Sequence, residues 1–424
     1  MSCTGESRAV LMDGVALHKR VCYIFQDQYP WDVRVEKISD SLAQQGVEVH
    51  IVSRNRDGLA RTEPYRDQIT IHRLSKGFHP VVRDLLNFPA FFSPFWLKAI
   101  VSSVWKTASE LIIVRDLPLA ITAWIAGKMT RRPVLLDMAE NYPAMIQDTW
   151  TYRGPQGFDY LIRNPALLRS MERFILPKMD GVLVVSEASA ARVGNLGVPK
   201  ETISVVGNTP SLQRGVSHSF ANEIRERSDF ILIYVGGLEE TRGLDTLIRA
   251  IPRVAEVEPN VLVVLVGKGT SEPMLRQLTR ALGLEKHLLW MGWQDPKSVP
   301  SLIQAADVCL VPHYVTEHTD TTIPNKIFDY MLQKKPVIVT HAKTLSEIVD
   351  FAQCGLVYKD HRVDELSEAI IQLRSRELRR KMGEAGYQAV LSRYNWDHDS
   401  RRLIEAVLAL THPPQLLCNG NART

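Results

Sequence analysis

The stretch "FILIYVGGLEETRGLDTLIRAI", Phe230 to Ile251, decides how this chain folds. Its apolar opening, Phe230 to Val235, reads as a strand buried on both faces. Gly236 and Gly237 end it in a turn where, with no Cβ, backbone can come close to a ligand. Arg242 and Gly243 then stand where an amphipathic helix starts. A strand with two apolar faces, followed at once by a helix, belongs in a parallel sheet covered on both sides.

Working outward, the pattern recurs on either side. Before it come "VCYIFQ" from Val21, "VEVHIVS" from Val47, "LIIVRD" from Leu111, "PVLLDM" from Pro133, "GVLVVS" from Gly181 and "ISVVGN" from Ile203. After it come "VLVVLVGKG" from Val261, "HLLWMG" from His287, "DVCLVP" from Asp307, "PVIVT" from Pro336 and "GLVY" from Gly355. Helical patterns lie between them, as in Val35–Gln45 and Leu119–Met129. Two such series predict an α/β protein of two doubly wound, Rossmann-like domains facing a cleft. The polar segment Asn208–Asp229 separates them, giving domains over residues 1–208 and 209–395. Residues 396–424 form a helical tail that is free to pack back on the first domain.

Length agrees with that division, since single cores stop growing at roughly 250–300 residues and the chain has 424. Hydrophobic residues at 45% and charged residues at 23% are ordinary for a soluble globular protein. The net charge of +4 weakly favours anionic ligands or a membrane surface and is not the footprint of a nucleic-acid binder. Five scattered cysteines without CxxC spacing support neither a zinc site nor a disulfide framework. With no signal-like start and no run of 18 apolar residues, a cytoplasmic setting is expected.

Open α/β sheets bind ligands at the carboxyl ends of their strands, so the chemistry is sought in those loops. Arg242, at a helix start beside Gly236 and Gly237, can bridge phosphate oxygens. The plainer reading is a βα turn with a surface arginine. Gly267 closes the next strand in the same manner, and Trp293 ends the strand "LLWMG" where it can flank a nucleobase or merely pack. "HTDTTIPNKIFDYMLQKKPVIVT", His318 to Thr340, offers a helix entered through Thr321, Thr322 and Asn325. Lys326 in its first turn opposes the helix dipole, which points to an anion nearby or to a solvated lysine. Asp329 can pair with Lys326 or accept hydrogen bonds from ribose hydroxyls. In the first half, Asp137 and Glu140 of "LLDMAENYPAM" can act on an acceptor hydroxyl or simply cap a helix. The set fits a nucleotide diphosphate.

At this point the chain resembles the GT-B retaining glycosyltransferases of family 4, those that build bacterial surface polysaccharides. The resemblance covers nearly the whole chain and rests on "YPWDVRVEKISDSLAQQGVEVHIVSR", "VVSEASAARVGNLGVPKETISVVGNTP", "YVGGLEETRGLDTLIRAI", "LLWMGWQDPKSVPSLIQAADVCLVP" and "TTIPNKIFDYMLQKKPVIVT". It implies transfer of a hexose from a UDP- or GDP-sugar to a glycan or lipid-linked acceptor, with retained anomeric configuration. The family's E-x7-E pair falls on Thr321, which is not acidic, and on Asp329, which implies a ribose contact there. Its glycine–arginine–lysine grip on the diphosphate falls on Gly237 and Arg242, with Lys326 as a substitute for the missing cation. The acceptor-side histidine common in the family is absent from the loop after Leu135, and Glu140 is the nearest candidate. No DxD-type motif sits at a strand end, so no metal or other cofactor is expected.

"LLNFPAFFSPFWLKAIVSSVWK", residues 85–106, sets Phe88, Phe91, Phe92, Phe95 and Trp96 among Arg83, Lys98 and Lys106. It reads either as a buried helix of the first domain or as a contact with an anionic membrane surface, which would make the protein peripheral on the inner face of the membrane. Two rival functions stand beside the transferase: a nucleotide-sugar 2-epimerase of the same fold, and a non-catalytic nucleotide-sugar-binding partner.

Overall fold

In a computed structural model of the chain, described at residues 19–411 apart from 31, 75–91, 156, 158 and 213–220, each of the apolar runs above is a strand. The first sheet contains β1 (Arg20–Gln28), β2 (Glu48–Arg54), β3 (Thr62–Arg66), β4 (Ile69–Arg73), β5 (Leu111–Arg115), β6 (Val134–Met138), β7 (Gly181–Val184) and β8 (Ile203–Val205). The second contains β9 (Ile231–Val235), β10 (Leu262–Val266), β11 (Leu288–Gly292), β12 (Val308–Val311), β13 (Val337–Thr340) and β14 (Gly355–Tyr358). Their orders are β3-β4-β2-β1-β5-β6-β7-β8 and β11-β10-β9-β12-β13-β14. The pairs of β9 with β10 and β12, and of β12 with β13, are parallel. The hairpin of β3 with β4 is antiparallel.

Alternation along the central strands shows why the second sheet is covered twice. Ile231, Ile233, Cys309, Val311, Val337 and Val339 join one core with Phe328 and Met331 of helix Lys326–Leu332. Leu232, Tyr234, Leu310 and Ile338 join the other, with Leu247, Ile248 and Ile251 of helix Leu244–Val257. Each strand therefore has two dry faces, which is what its unbroken apolar run requires.

Contacts divide the chain into two compact units, residues 1–136 with 404–424, and residues 137–403. In the first, Trp96 is fully buried in helix Pro94–Thr107 together with Ile100 and Val104. Trp96 is thus core, whereas Phe92 is half exposed. The rest of the aromatic cluster up to residue 91 lies outside the described residues. Residues Trp396–Thr411 form a helix, and residues 412–424 lie outside the described residues. Among the described residues, no helix is long and apolar enough to cross a membrane.

Candidate functional site

The second sheet reverses its strand order between β9 and β12. β10 and β11 are added on one side of that point, β13 and β14 on the other, so the loops leaving β9 and β12 diverge and open a crevice. A cavity of about 240 Å³ lies there, lined by Gly236 and Gly237 after β9, His313 after β12, and Arg242. Glu140, Asn208, His318, Thr319, Thr322, Asn325 and Lys326 complete its polar wall.

Backbone shape admits these groups. Gly236 has φ +144°, and a Cβ on it would stand 2.6 Å from Lys326 Nζ. Gly267, at φ +137°, lies behind it: a Cβ there would meet the Gly236 carbonyl at 1.9 Å. Glycine is required at both, in one case for the cavity wall and in the other for its support. Two tyrosines fix the turn. Tyr234 donates its hydroxyl to the Gly237 carbonyl at 2.7 Å, and the Val235 N–H donates to the buried Tyr330 hydroxyl at 2.9 Å.

The charges gather around His313, which is 1% exposed. Arg242 Nη1 lies 3.2 Å from its Nδ1, and Lys326 Nζ lies 3.3 Å from its Nε2. Lys326 also sits 3.9 Å above the Tyr234 ring. Neither cation has an ion-pair partner among the described residues, so the intrahelical pairing of Lys326 with Asp329 is not formed. A neutral imidazole has a single lone pair to offer, so it can accept from only one of its two cationic neighbours. Burial first, and the Arg242 charge second, hold the Lys326 ammonium well below its usual range. Burial, then Lys326 and Arg242, likewise keep His313 neutral far below the usual range. Two cations and a neutral histidine in a half-dry crevice form a receptor for an anion.

The loop from β12 to helix Lys326–Leu332 is held by its own threonines. Thr319 donates to the Tyr314 carbonyl at 2.8 Å, Thr321 to Glu317 at 2.9 Å, and Thr322 to His318 at 2.9 Å. The Thr321 carbonyl in turn accepts from Ser186 at 2.6 Å and Ser189 at 2.7 Å. Thr321 therefore pins the loop with its hydroxyl and carbonyl and does not line the cavity, whereas Thr322 does.

Across the cavity, Glu140 Oε2 is 2.7 Å from His318 Nε2. Asp148 Oδ2 lies 3.8 Å from the other ring nitrogen and accepts from Thr316 at 2.8 Å. Burial raises the Asp148 carboxyl above its usual range, against the hydrogen bond from Thr316 and the His318 charge.

Of the residues expected from sequence, the fold brings Glu140, Gly236, Gly237, Arg242, Thr322, Asn325 and Lys326 to one cavity. Asp137 is fully buried at the end of β6, and Trp293 is 66% exposed. Neither these two nor Asp329 is part of the cavity wall. His313 and His318, on which the site's electrostatics turn, were not among the expected residues. The signal for His313 was its place directly after the apolar run "DVCLVP", at the end of a central strand.

Residues 32–209 match the family described as glycosyl transferase 4-like domain, and residues 218–389 match glycosyl transferases group 1. The lipopolysaccharide core biosynthesis glycosyltransferase LpsE of Rhizobium meliloti is 24% identical over 217 residues, 51% of this chain and 60% of that protein. The GDP-mannose-dependent monoacylated alpha-(1-6)-phosphatidylinositol monomannoside mannosyltransferase of Corynebacterium glutamicum is 30% identical over 166 residues, 38% and 42% of the two chains. The chain thus spans 60% or less of the length of these two relatives. Among solved structures, the sucrose-phosphate synthase of Thermosynechococcus elongatus superposes with TM-score 0.75 at 18% identity, covering 92% of this chain and 99% of that one. HepE of Anabaena, solved with UDP-glucose, superposes with TM-score 0.67 at 16% identity, covering 93% of this chain and 100% of that one. The fold is GT-B, and the chain belongs to the glycosyltransferases that join a 4-like domain to a group 1 domain.

Proposed function

We propose that this protein is a retaining glycosyltransferase that moves a hexose from a nucleotide diphosphate sugar to an acceptor hydroxyl on a lipid-linked glycan or polysaccharide precursor. The observation that carries this reading is the pair of cations, Arg242 and Lys326, facing opposite nitrogens of buried His313 at the switch point of the sheet. A diphosphate supplies the acceptors that this group lacks. Nucleotide-sugar use by the C. glutamicum relative, and the UDP-glucose complex of HepE, support the same ligand class.

In the proposed reaction the bond from sugar C1 to the diphosphate oxygen breaks, and its electron pair stays on the diphosphate. The acceptor oxygen bonds to C1, and its proton passes to the Glu140 carboxylate. Arg242, Lys326 and the glycine turn stabilise the charge that grows on the leaving group. Preorganisation is the main contribution, because these donors are in place before the bond breaks. The reaction as proposed uses no cofactor beyond the nucleotide sugar.

The test is incubation with radiolabelled UDP- and GDP-sugars and a membrane extract. Label moving into lipid or polymer supports the transferase. An altered free sugar nucleotide would replace it with an epimerase, and binding without turnover with a non-catalytic partner. A lipid-linked acceptor also requires approach to a membrane. Phe92 and Trp105 are exposed on the segment that carries exposed Lys98 and Lys106, an arrangement suited to an anionic surface. Replacing both aromatics with serine is expected to weaken binding to phosphatidylserine vesicles, and unchanged binding by the folded variant would remove the contact.

A further inference from the structure

One titratable side chain at the cavity remains without a task in that scheme: His318, held between Glu140 and Asp148. The three come from separate places. Glu140 follows β6, Asp148 lies on helix Tyr142–Arg153, and His318 lies in the loop that leads to Lys326. Only Glu140 and His318 line the cavity. The ring has a carboxylate oxygen beyond each nitrogen, Glu140 Oε2 at 2.7 Å and Asp148 Oδ2 at 3.8 Å. Thr316 donates to that same Asp148 oxygen at 2.8 Å, which fixes the carboxylate behind the ring. Glu140 Oε1 has no partner among the described residues.

We infer that His318 is the positioning residue for Glu140: its Nε2–H occupies Oε2 and leaves Oε1 to accept the hydrogen bond of the acceptor hydroxyl. This rests on the transferase reading above. A carboxylate on a flexible side chain at the rim of a cavity samples many rotamers, and one fixed hydrogen bond removes most of them. Asp148, 3.8 Å from the other ring nitrogen and so beyond hydrogen-bond reach, acts on the ring through its charge alone. The same loop then presents His318 to the acceptor side and Lys326 to the anion side. The competing account is a staple: the ion pair merely holds that loop in place. A staple would act on both sides of the cavity at once, because loosening the loop also displaces Lys326. A positioning role would act on the acceptor side alone.

The experiment compares wild type with His318→Ala, His318→Gln, Glu140→Gln and the His318→Ala/Glu140→Gln double variant. UDP or GDP release from UDP-glucose and GDP-mannose is followed with a membrane extract as acceptor source, and UDP affinity is measured by calorimetry. His318→Ala is expected to lower turnover at least about tenfold, the loss of one charge-assisted hydrogen bond. UDP affinity should change less than about threefold, because the donors on His313's side are untouched. The glutamine amide can reach the same oxygen, so His318→Gln should recover most of the turnover. The double variant should be no slower than Glu140→Gln alone. Unchanged turnover in His318→Ala, an equal loss of UDP affinity, or losses that multiply in the double variant would each overturn the assignment. If wild type binds UDP but turns over neither donor, the transferase reading fails instead. The hydrogen bond is then judged by proton NMR. A downfield imidazole N–H resonance, absent in His318→Gln, should shift in Glu140→Gln, and a resonance that stays put overturns the positioning role.

Discussion

At the residue scale the site turns on a lysine in an awkward place. Lys326 opens a helix, where the dipole disfavours a cation, and it has neither a carboxylate nor full hydration to offset the cost. An anion between Lys326 and Arg242 relieves both strains. Lys326→Ala and Arg242→Ala are each expected to weaken UDP binding at least about tenfold, since hydrogen bonds to charged groups contribute roughly 1.5–3 kcal/mol. Wild-type affinity in both variants, measured by calorimetry, would remove the phosphate site. The depressed Lys326 ammonium gives a second expectation. A bound diphosphate favours the charged form and raises the lysine pKa toward its ordinary value. Between the free and bound values the complex holds more protons than the free protein, so UDP binding takes up protons and weakens as pH rises through that window. Binding enthalpies in two buffers of different ionisation heat report the uptake, and equal enthalpies after correction for UDP's own ionisation would refute it. The sequence made Arg242, Lys326 and Glu140 legible because each lies between an apolar strand and the first turn of the helix that follows it. It could not show His313 between two cations that are 71 and 13 residues away, since no local spacing encodes such contacts.

At the element scale the site hangs on short pieces that have little stability of their own. Helix Lys326–Leu332 has seven residues, well below the length at which a helix is stable alone, and it persists because Ile327, Phe328, Tyr330 and Met331 are buried. Tyr330 is the element's link to the glycine turn through the N–H of Val235. Tyr330→Phe preserves the ring and removes the hydroxyl that this half-buried N–H donates to, at a cost of about 1 kcal/mol. The expected outcome is a lower urea midpoint together with weaker UDP binding, because Gly236 is next along the chain. A variant with both properties unchanged would show that the tyrosine only fills space. The buried strands were legible as elements because both faces are apolar. The β3–β4 hairpin was not, because β3 alternates exposed and half-buried residues and includes Pro64 between Glu63 and Tyr65. An edge strand with such composition resembles a loop, and only its pairing with Ile69–Arg73 makes it a strand.

At the scale of the whole molecule, burial of histidines sets how the fold responds to acid. In the first unit, His50 and His72 face each other on adjacent strands with ring nitrogens 3.3 Å apart. Burial, then the His72 charge, lowers His50 from 6.5 to about 4, and burial with the Lys106 charge lowers His72. In the second unit, burial and two cations push His313 down as well. All three shifts have one sign. An unfolded chain takes up protons at these histidines near pH 6.5, whereas the folded chain keeps them neutral until the pH is well below that. Between those values the unfolded state binds more protons, so stability is fully present above about pH 6.5 and falls as the pH drops toward 4. Asp148, raised by burial above 3.8, acts in the opposite sense, one group against three. Urea midpoints measured from pH 7.5 to 4.5 are therefore expected to fall steadily through that interval. His50→Gln removes one titrating group while retaining a polar side chain beside His72, and its profile should be shallower than that of wild type. A wild-type midpoint that stays level across the interval would mean that the buried histidines titrate as they do in water, and that neither strand pair nor cation pair holds them neutral.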